Sequence, residues 1–188
     1  MKALGIRKTV SISLLGAIAF LLMFIEFPII PITPWLKIDF SDIPVLLGLL
    51  IYGPVGAILV TALKCFLHAL VYGMSIPELI GVFSSFVASI TLILPFHWSF
   101  SHEKWTANRR YVIGIITSTV CMVVIMSLLN WLVIMPVYMQ VLGMKLTISL
   151  PKLVLIGIVP FNLIKGVLLG LVFMIIGKRM SHWLAKQI

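Results

Sequence analysis

Near the middle of its last apolar stretch, Leu153 to Met180, the chain carries Pro160-Phe161-Asn162-Leu163-Ile164-Lys165-Gly166. An amide and an amine placed there can both donate hydrogen bonds, and the amide can also accept one. A lysine at bilayer depth is disfavoured by about 2.5–3.5 kcal/mol on insertion scales, so it is kept where it faces protein, water or a ligand. Asn162 and Lys165 are three residues apart and lie on neighbouring faces of one helix. On that helix Asn162, Gly166, Gly170 and Gly177 fall in a line at spacings of four, four and seven, and the glycines let other helices approach closely. Asn130, in the preceding apolar stretch, shares a face with Ser127 and comes to a comparable depth if the two stretches run antiparallel. Three donor-bearing side chains converging from adjacent helices describe a site, open to the outside, for a ligand rich in acceptors. An internal hydrogen-bonded network without a ligand is the competing reading.

Other polar residues within apolar runs have two readings each. Lys64 and His68, four apart, either snorkel or bond a neighbouring helix. Glu78 opens a helix, where a carboxylate meets the positive end of the dipole. Gly81, Ser85 and Ala88, with Ser84 adjacent, form a small-residue face that serves close helix packing or leaves room for a flat ligand.

Catalysis finds little support. The chain has no G-x-x-x-x-G-K-[ST], H-E-x-x-H or G-x-S-x-G and no acidic cluster for magnesium, so hydrolysis of ATP by a P-loop is not expected. His68, His97, His102 and His182 are scattered, and neither Cys65 nor Cys121 has a C-x-x-C partner. No metal, cofactor, disulfide or enzymatic activity is therefore expected.

The elements that must position these groups follow from composition. Of 188 residues, 62% are hydrophobic and 10% charged, a balance that places the chain in a membrane. Stretches long enough to cross about 30 Å of hydrocarbon run from Thr9 to Phe27, Pro77 to Phe96, Tyr111 to Tyr138 and Leu153 to Met180. Ile43 to Tyr72 is long for one span and short for two, and Tyr52-Gly53-Pro54 within it is a turn signal in which Pro54 can open a new helix.

Charge decides the count. With six spans, Lys2, Arg7, Lys8, Lys104, Arg109, Arg110, Lys178, Arg179 and Lys186 all fall on one side, which the positive-inside rule makes cytoplasmic. Lys37, Lys145 and Lys152 fall outside. The net charge of +9 therefore reads as a topology signal facing anionic lipid rather than as a nucleic-acid surface. The expectation is an all-α integral membrane protein: six transmembrane helices in one bundle and one domain over residues 1–188, both termini cytoplasmic, with a short second helix from Ile43 to Tyr52. The loop Pro28 to Asp42, stiffened by three prolines, is extended and places Trp35, Lys37, Asp39 and Asp42 at the outer surface. On the first helix Ser13 and Ala17, four apart with Gly16 beside them, form a face that another helix can approach closely.

Lys37-Ile-Asp-Phe-Ser-Asp-Ile-Pro-Val-Leu-Leu-Gly, Tyr52-Gly-Pro-Val-Gly-Ala, Ala62-Leu-Lys-Cys-Phe-Leu-His and Phe161-Asn-Leu-Ile-Lys-Gly together resemble the substrate-binding (S) components of energy-coupling factor vitamin transporters, the riboflavin-specific ones above all. The resemblance covers nearly the whole chain. It implies capture of riboflavin from outside and docking on a transmembrane coupling protein that bears two cytoplasmic ATPases. It also implies that Ser13, Gly16 and Ala17 face that coupling protein, with serine where such proteins carry the first alanine of A-x-x-x-A. The candidate ligand contacts are Asn130, Asn162 and Lys165, with Asp39, Phe40 and Ser41 from the loop and Gly81, Ser84 and Ser85 from the fourth helix. Capture at nanomolar concentration requires roughly −12 kcal/mol, which favours an enclosed, preorganised site with the Pro28 to Asp42 loop as its lid. A stand-alone proton-coupled transporter using Glu78 or His68 is a second reading, disfavoured by the lack of a mid-membrane carboxylate and of internal repeats. An intramembrane enzyme using Lys165 and His68 is a third, without a metal or nucleophile pattern to support it.

Overall fold

The structure is a computed structural model that describes residues 5–184, with side chains described through residue 180. Lys2 and Lys186 of the charge count, and the side chain of His182, lie outside the described residues. Among the described residues the chain is helical apart from the loop between its first two helices and shorter connections at 73–75, 101–106 and 142–149. Helix α1 spans Ile6–Met23, α2 spans Asp42–Tyr72 and α3 spans Ile76–Phe100. Helix α4 (Ala107–Leu129) continues through a π-helical turn, Asn130–Ile134, into α5 (Met135–Val141). Helix α6 (Leu150–Leu153) leads through a second π-helical turn, Val154–Ile158, into α7 (Val159–Leu184). Five of these helical stretches are long and apolar enough to cross a membrane: Ile6–Met23, Asp42–Tyr72, Ile76–Phe100, Ala107–Val141 and Leu150–Met180.

Helix α2 is not one rod. Gly53 has φ 73° and ψ −173°, a conformation essentially open to glycine alone, and Pro54 follows it where a missing N–H does no harm. Asp42 and Lys64 are 22 residues apart and bond at 2.6 Å, whereas a continuous helix would hold them about 33 Å apart. A side chain at Gly48 would likewise press on Val60 and Ala57. The segment therefore folds back at Gly53 into two antiparallel arms, the first short, the second running on to Tyr72.

The loop between α1 and α2 carries a two-residue antiparallel pair, β1 (Phe27–Pro28) with β2 (Lys37–Ile38), in the register Phe27 to Ile38 and Pro28 to Lys37. Between the strands the chain turns, with the Thr33 N–H donating to Ile30 O and the Leu36 N–H to Thr33 O. The expectation of a non-helical loop holds, but it is hairpin-shaped rather than simply extended. Fully buried Thr33 presses its methyl against Gly157 in the second π-helical turn, which anchors the loop over α7.

The two π-helical turns share a cause. The Met135 N–H bonds to Asn130 O and the Val159 N–H to Val154 O, and a proline follows each, Pro136 and Pro160. Proline lacks an N–H and its ring crowds the carbonyl four residues back, so the preceding turn widens. The two turns pack against each other.

The helices close into a bundle: α1 packs on α2, α2 on α3, α3 on α4, α4 on α7, and α7 back on α2. Its core joins Leu46, Leu92, Phe96, Met122, Leu169 and Phe173. The glycines of α7 have the role that their spacing suggested. A Cβ at Gly166 would meet Thr119, at Gly170 Ile115, and at Gly177 the Tyr111 hydroxyl, a descending series along antiparallel α4. Gly170→Val is expected to destabilise the fold by about 1–3 kcal/mol through overpacking, measurable as a lowered midpoint of thermal unfolding in detergent. A melting curve unchanged from the parent's would show that α4 and α7 can separate at that level.

Gly16 corrects one sequence expectation. It is buried, and a Cβ there would clash with Leu63 of α2, so it serves packing within the chain. Ser13 is exposed and Ala17 half-buried on another face of α1.

Candidate binding cavity

A cavity of about 440 Å³ opens between the first loop and helices α2, α3, α4 and α7, a size in the range of small-molecule sites. Its mouth is set by element ends: Met23 closes α1, Tyr72 closes α2, and Pro77 and Glu78 open α3, with Glu26, Trp35 and Lys37 from the loop beside them. Ser85 and Ala88 line it further along α3. Glu78 and Ala88 are ten residues apart, so the cavity extends about 15 Å along that helix.

Three of its walls present the groups singled out in the sequence. Asn130, Asn162 and Lys165 all line it and are 2%, 3% and 8% exposed. Each asparagine Nδ2 donates to the carbonyl four residues back in its own helix, Asn130 to Met126 O and Asn162 to Ile158 O, both at 2.8 Å. That bond fixes the amide and leaves its second N–H and its Oδ1 available to the cavity. Asn130 begins the first π-helical turn, and Ile158, whose carbonyl holds Asn162, ends the second. The widened turns thus set the azimuth of both amides.

Lys165 Nζ lies 3.5 Å from Asp39 Oδ2 and 3.8 Å from Asp42 Oδ2. Below it is a charge network that the sequence reading missed. Lys64, fully buried, donates to Asp42 Oδ1 at 2.6 Å and to Ser41 Oγ at 2.9 Å. The Ser89 hydroxyl donates to the same Asp42 oxygen at 2.5 Å, and the Ser41 N–H donates to Asp39 Oδ1 at 2.8 Å. Two lysines and two carboxylates, drawn from the loop end, from both arms of α2 and from α7, balance one another where desolvation of any single charge would be prohibitive.

Several expectations are corrected here. Asp42, 1% exposed, is not at the outer surface, because the short first arm of α2 begins level with Lys64, about 12 Å below the last residue of the second arm. Lys64 does not snorkel but follows the alternative reading, bonding across to Asp42 of the first arm. A buried carboxylate does exist, so its supposed absence is no argument against proton coupling. Asp39, Gly81, Ser84 and Ser85 line the cavity. Among the described residues Phe40 and Ser41 do not. Phe40 packs against the main core and Ser41 accepts from Lys64, so both support the floor from behind. At the mouth His68 stacks on Tyr72 with ring centroids 4.5 Å apart, and its Nδ1 stands 3.9 Å from Glu78 Oε2, too far for a direct hydrogen bond. Lys37 and Glu26 form an ion pair across the loop base.

Residues 7–177 match the sequence profile of the family described as ECF transporter, substrate-specific component. The chain is 34% identical over 184 residues to "Riboflavin transporter FmnP" of Bacillus subtilis (strain 168), covering 97% of this chain and 96% of that one. It is 33% identical over 181 residues to "Riboflavin transporter RibU" of Staphylococcus aureus (strain TCH60), covering 96% and 93%. Among solved structures, the one described as "Structure and mechanism of the S component of a bacterial ECF transporter" superposes with a TM-score of 0.78 at 35% identity, over 95% of this chain and 97% of that chain. Agreement of profile, sequence and fold over nearly the full length leaves one assignment: the chain belongs to the substrate-specific components of ECF transporters, a family of membrane transport proteins rather than enzymes.

Proposed function

We propose that this chain binds riboflavin from the outer side of the cytoplasmic membrane and delivers it as the S component of an energy-coupling factor transporter. One observation carries the reading: a cavity of flavin dimensions whose inner walls present two fixed amides and one lysine. The isoalloxazine edge offers carbonyl acceptors beside an N–H donor, which an asparagine amide can meet with both its donor and its acceptor. The relatives named as riboflavin transporters support the same ligand.

The proposal includes six spans with cytoplasmic termini, the two arms of α2 counting as separate helices. The break at Gly53 and the gathering of Arg7, Lys8, Lys104, Arg109, Arg110 and Arg179 on one side under that topology support it. The first arm, 42–52, covers only about 16 Å and is sheltered by α3 and α7. The exposed face of α1 bearing Ser13 and Ala17 is the proposed contact with a transmembrane coupling protein that carries two ATPase subunits.

Proton coupling is the weaker reading because Asp42 is already bonded to Lys64 and Ser89 and flanked by Lys165. A carboxylate engaged by those partners is poorly placed to relay protons. Titrating purified protein with riboflavin is expected to quench the flavin's fluorescence with saturation at one flavin per chain in the nanomolar range. Fluorescence that stays at the free-flavin level throughout would reject the reading.

A further inference from the structure

Among the described residues, the carboxylates at and beneath the cavity are each paired with a lysine, with one exception. Glu26 pairs with Lys37, and Asp39 with Lys165 at 3.5 Å. Beneath them Asp42 pairs with Lys64 at 2.6 Å. Glu78 remains. Its ionic neighbour among the described residues is His68, with Nδ1 at 3.9 Å from Oε2, beyond the reach of a direct hydrogen bond. Glu78 also stands in the first turn of α3, whose N-terminus supplies only about half a positive charge. The cavity mouth therefore carries a carboxylate that, among the described residues, no lysine or arginine pairs with.

The position of that charge matters if the ligand is a flavin, and the inference rests on that reading. A ring held by Asn130, Asn162 and Lys165 leaves its hydroxylated chain directed along α3 toward the mouth, where Glu78 and Tyr72 lie. Phosphorylation of that chain's end adds about −1.5 to −2 charges. We infer that Glu78 is a specificity-determining residue of this cavity, whose carboxylate, held by no lysine or arginine among the described residues, repels phosphorylated flavins and leaves the uncharged vitamin as the preferred ligand. The paired lysines offer such a phosphate no compensation, since each already serves a carboxylate.

The test measures dissociation constants of riboflavin and of its 5′-phosphate in parallel, for the parent, Glu78→Gln and Glu78→Asp, at low and high salt. The parent is expected to prefer riboflavin, and Glu78→Gln to narrow the ratio of the two constants about tenfold. That factor corresponds to a double negative charge about 6 Å from a single one in a water-like dielectric. Glu78→Asp keeps the charge and should keep most of the ratio. Added salt should narrow the parent's ratio more than that of Glu78→Gln. A ratio unchanged in Glu78→Gln, including one in which both ligands weaken equally, overturns the inference while leaving riboflavin binding intact. A parent that binds neither flavin overturns the flavin reading and this inference with it.

Discussion

Asp42→Ala is expected to destabilise the protein by about 3–5 kcal/mol, the range for removing one partner of a buried ion pair. The figure is large because this carboxylate has more than one partner. It accepts from Lys64 and from Ser89 and stands 3.8 Å from Lys165. Without it, fully buried Lys64 keeps, among the described residues, only Ser41 as a hydrogen-bond partner, and an ammonium in that position is left buried without its nearest counter-charge. Asp42→Asn should fall between, since its amide oxygen can still accept from Lys64. The double substitution Asp42→Ala with Lys64→Met should regain most of the loss, because it replaces an ion pair with apolar bulk rather than orphaning one member. Thermal and denaturant unfolding of these proteins and of the single variant Lys64→Met in one detergent completes the cycle. A coupling energy near zero, with Asp42→Ala as stable as the parent, would show that water reaches Lys64 and that the network is not a closed one.

That network also marks the limit of what the sequence displays. Asp42 and Lys64 each stand eleven residues from Gly53, so a fold at that glycine brings them face to face. The turn signal in Tyr52-Gly53-Pro54 was legible, and so was the short first arm. What periodicity could not convey was depth. A loop between two spans is read as lying outside, and Asp39 and Asp42 went with it, although the short arm forces the loop's end down into the bundle. By contrast Asn130, Asn162 and Lys165 were legible because each is polar in an apolar run, and helical spacing alone sets their faces. The line Gly166, Gly170 and Gly177 was legible for the same reason. Gly16 was not, since a glycine beside a small-residue stripe looks alike whether it meets Leu63 of its own chain or a foreign helix. The π-helical turns were not read from the sequence: Pro136 and Pro160 each disturb a helix, but whether it kinks or widens by one residue depends on packing between the two turns. The β1–β2 pair, two residues per strand, is too short to leave a pattern.

The remaining large effect concerns binding itself. Asn130→Ala combined with Asn162→Ala is expected to weaken riboflavin affinity about 100- to 10,000-fold, from roughly 1–3 kcal/mol for each ligand polar group left unpaired in a desolvated site. The fold should tolerate the change. Each amide bonds otherwise only to a carbonyl of its own helix, Met126 O or Ile158 O, so truncation leaves no buried charge, and the melting midpoint should stay close to the parent's. Asn162→Asp sharpens the assignment, because it keeps the size and the acceptor while removing both N–H donors and setting a further carboxylate one helical turn from Lys165. If Asn162 donates to a flavin carbonyl, the aspartate should bind about as poorly as the alanine. If Asn162 serves instead as an acceptor from the flavin N–H, the aspartate should retain most of the affinity. Full affinity in the double alanine variant, measured by the same fluorescence titration, would move the flavin away from these two amides and leave Lys165 and the loop to hold it.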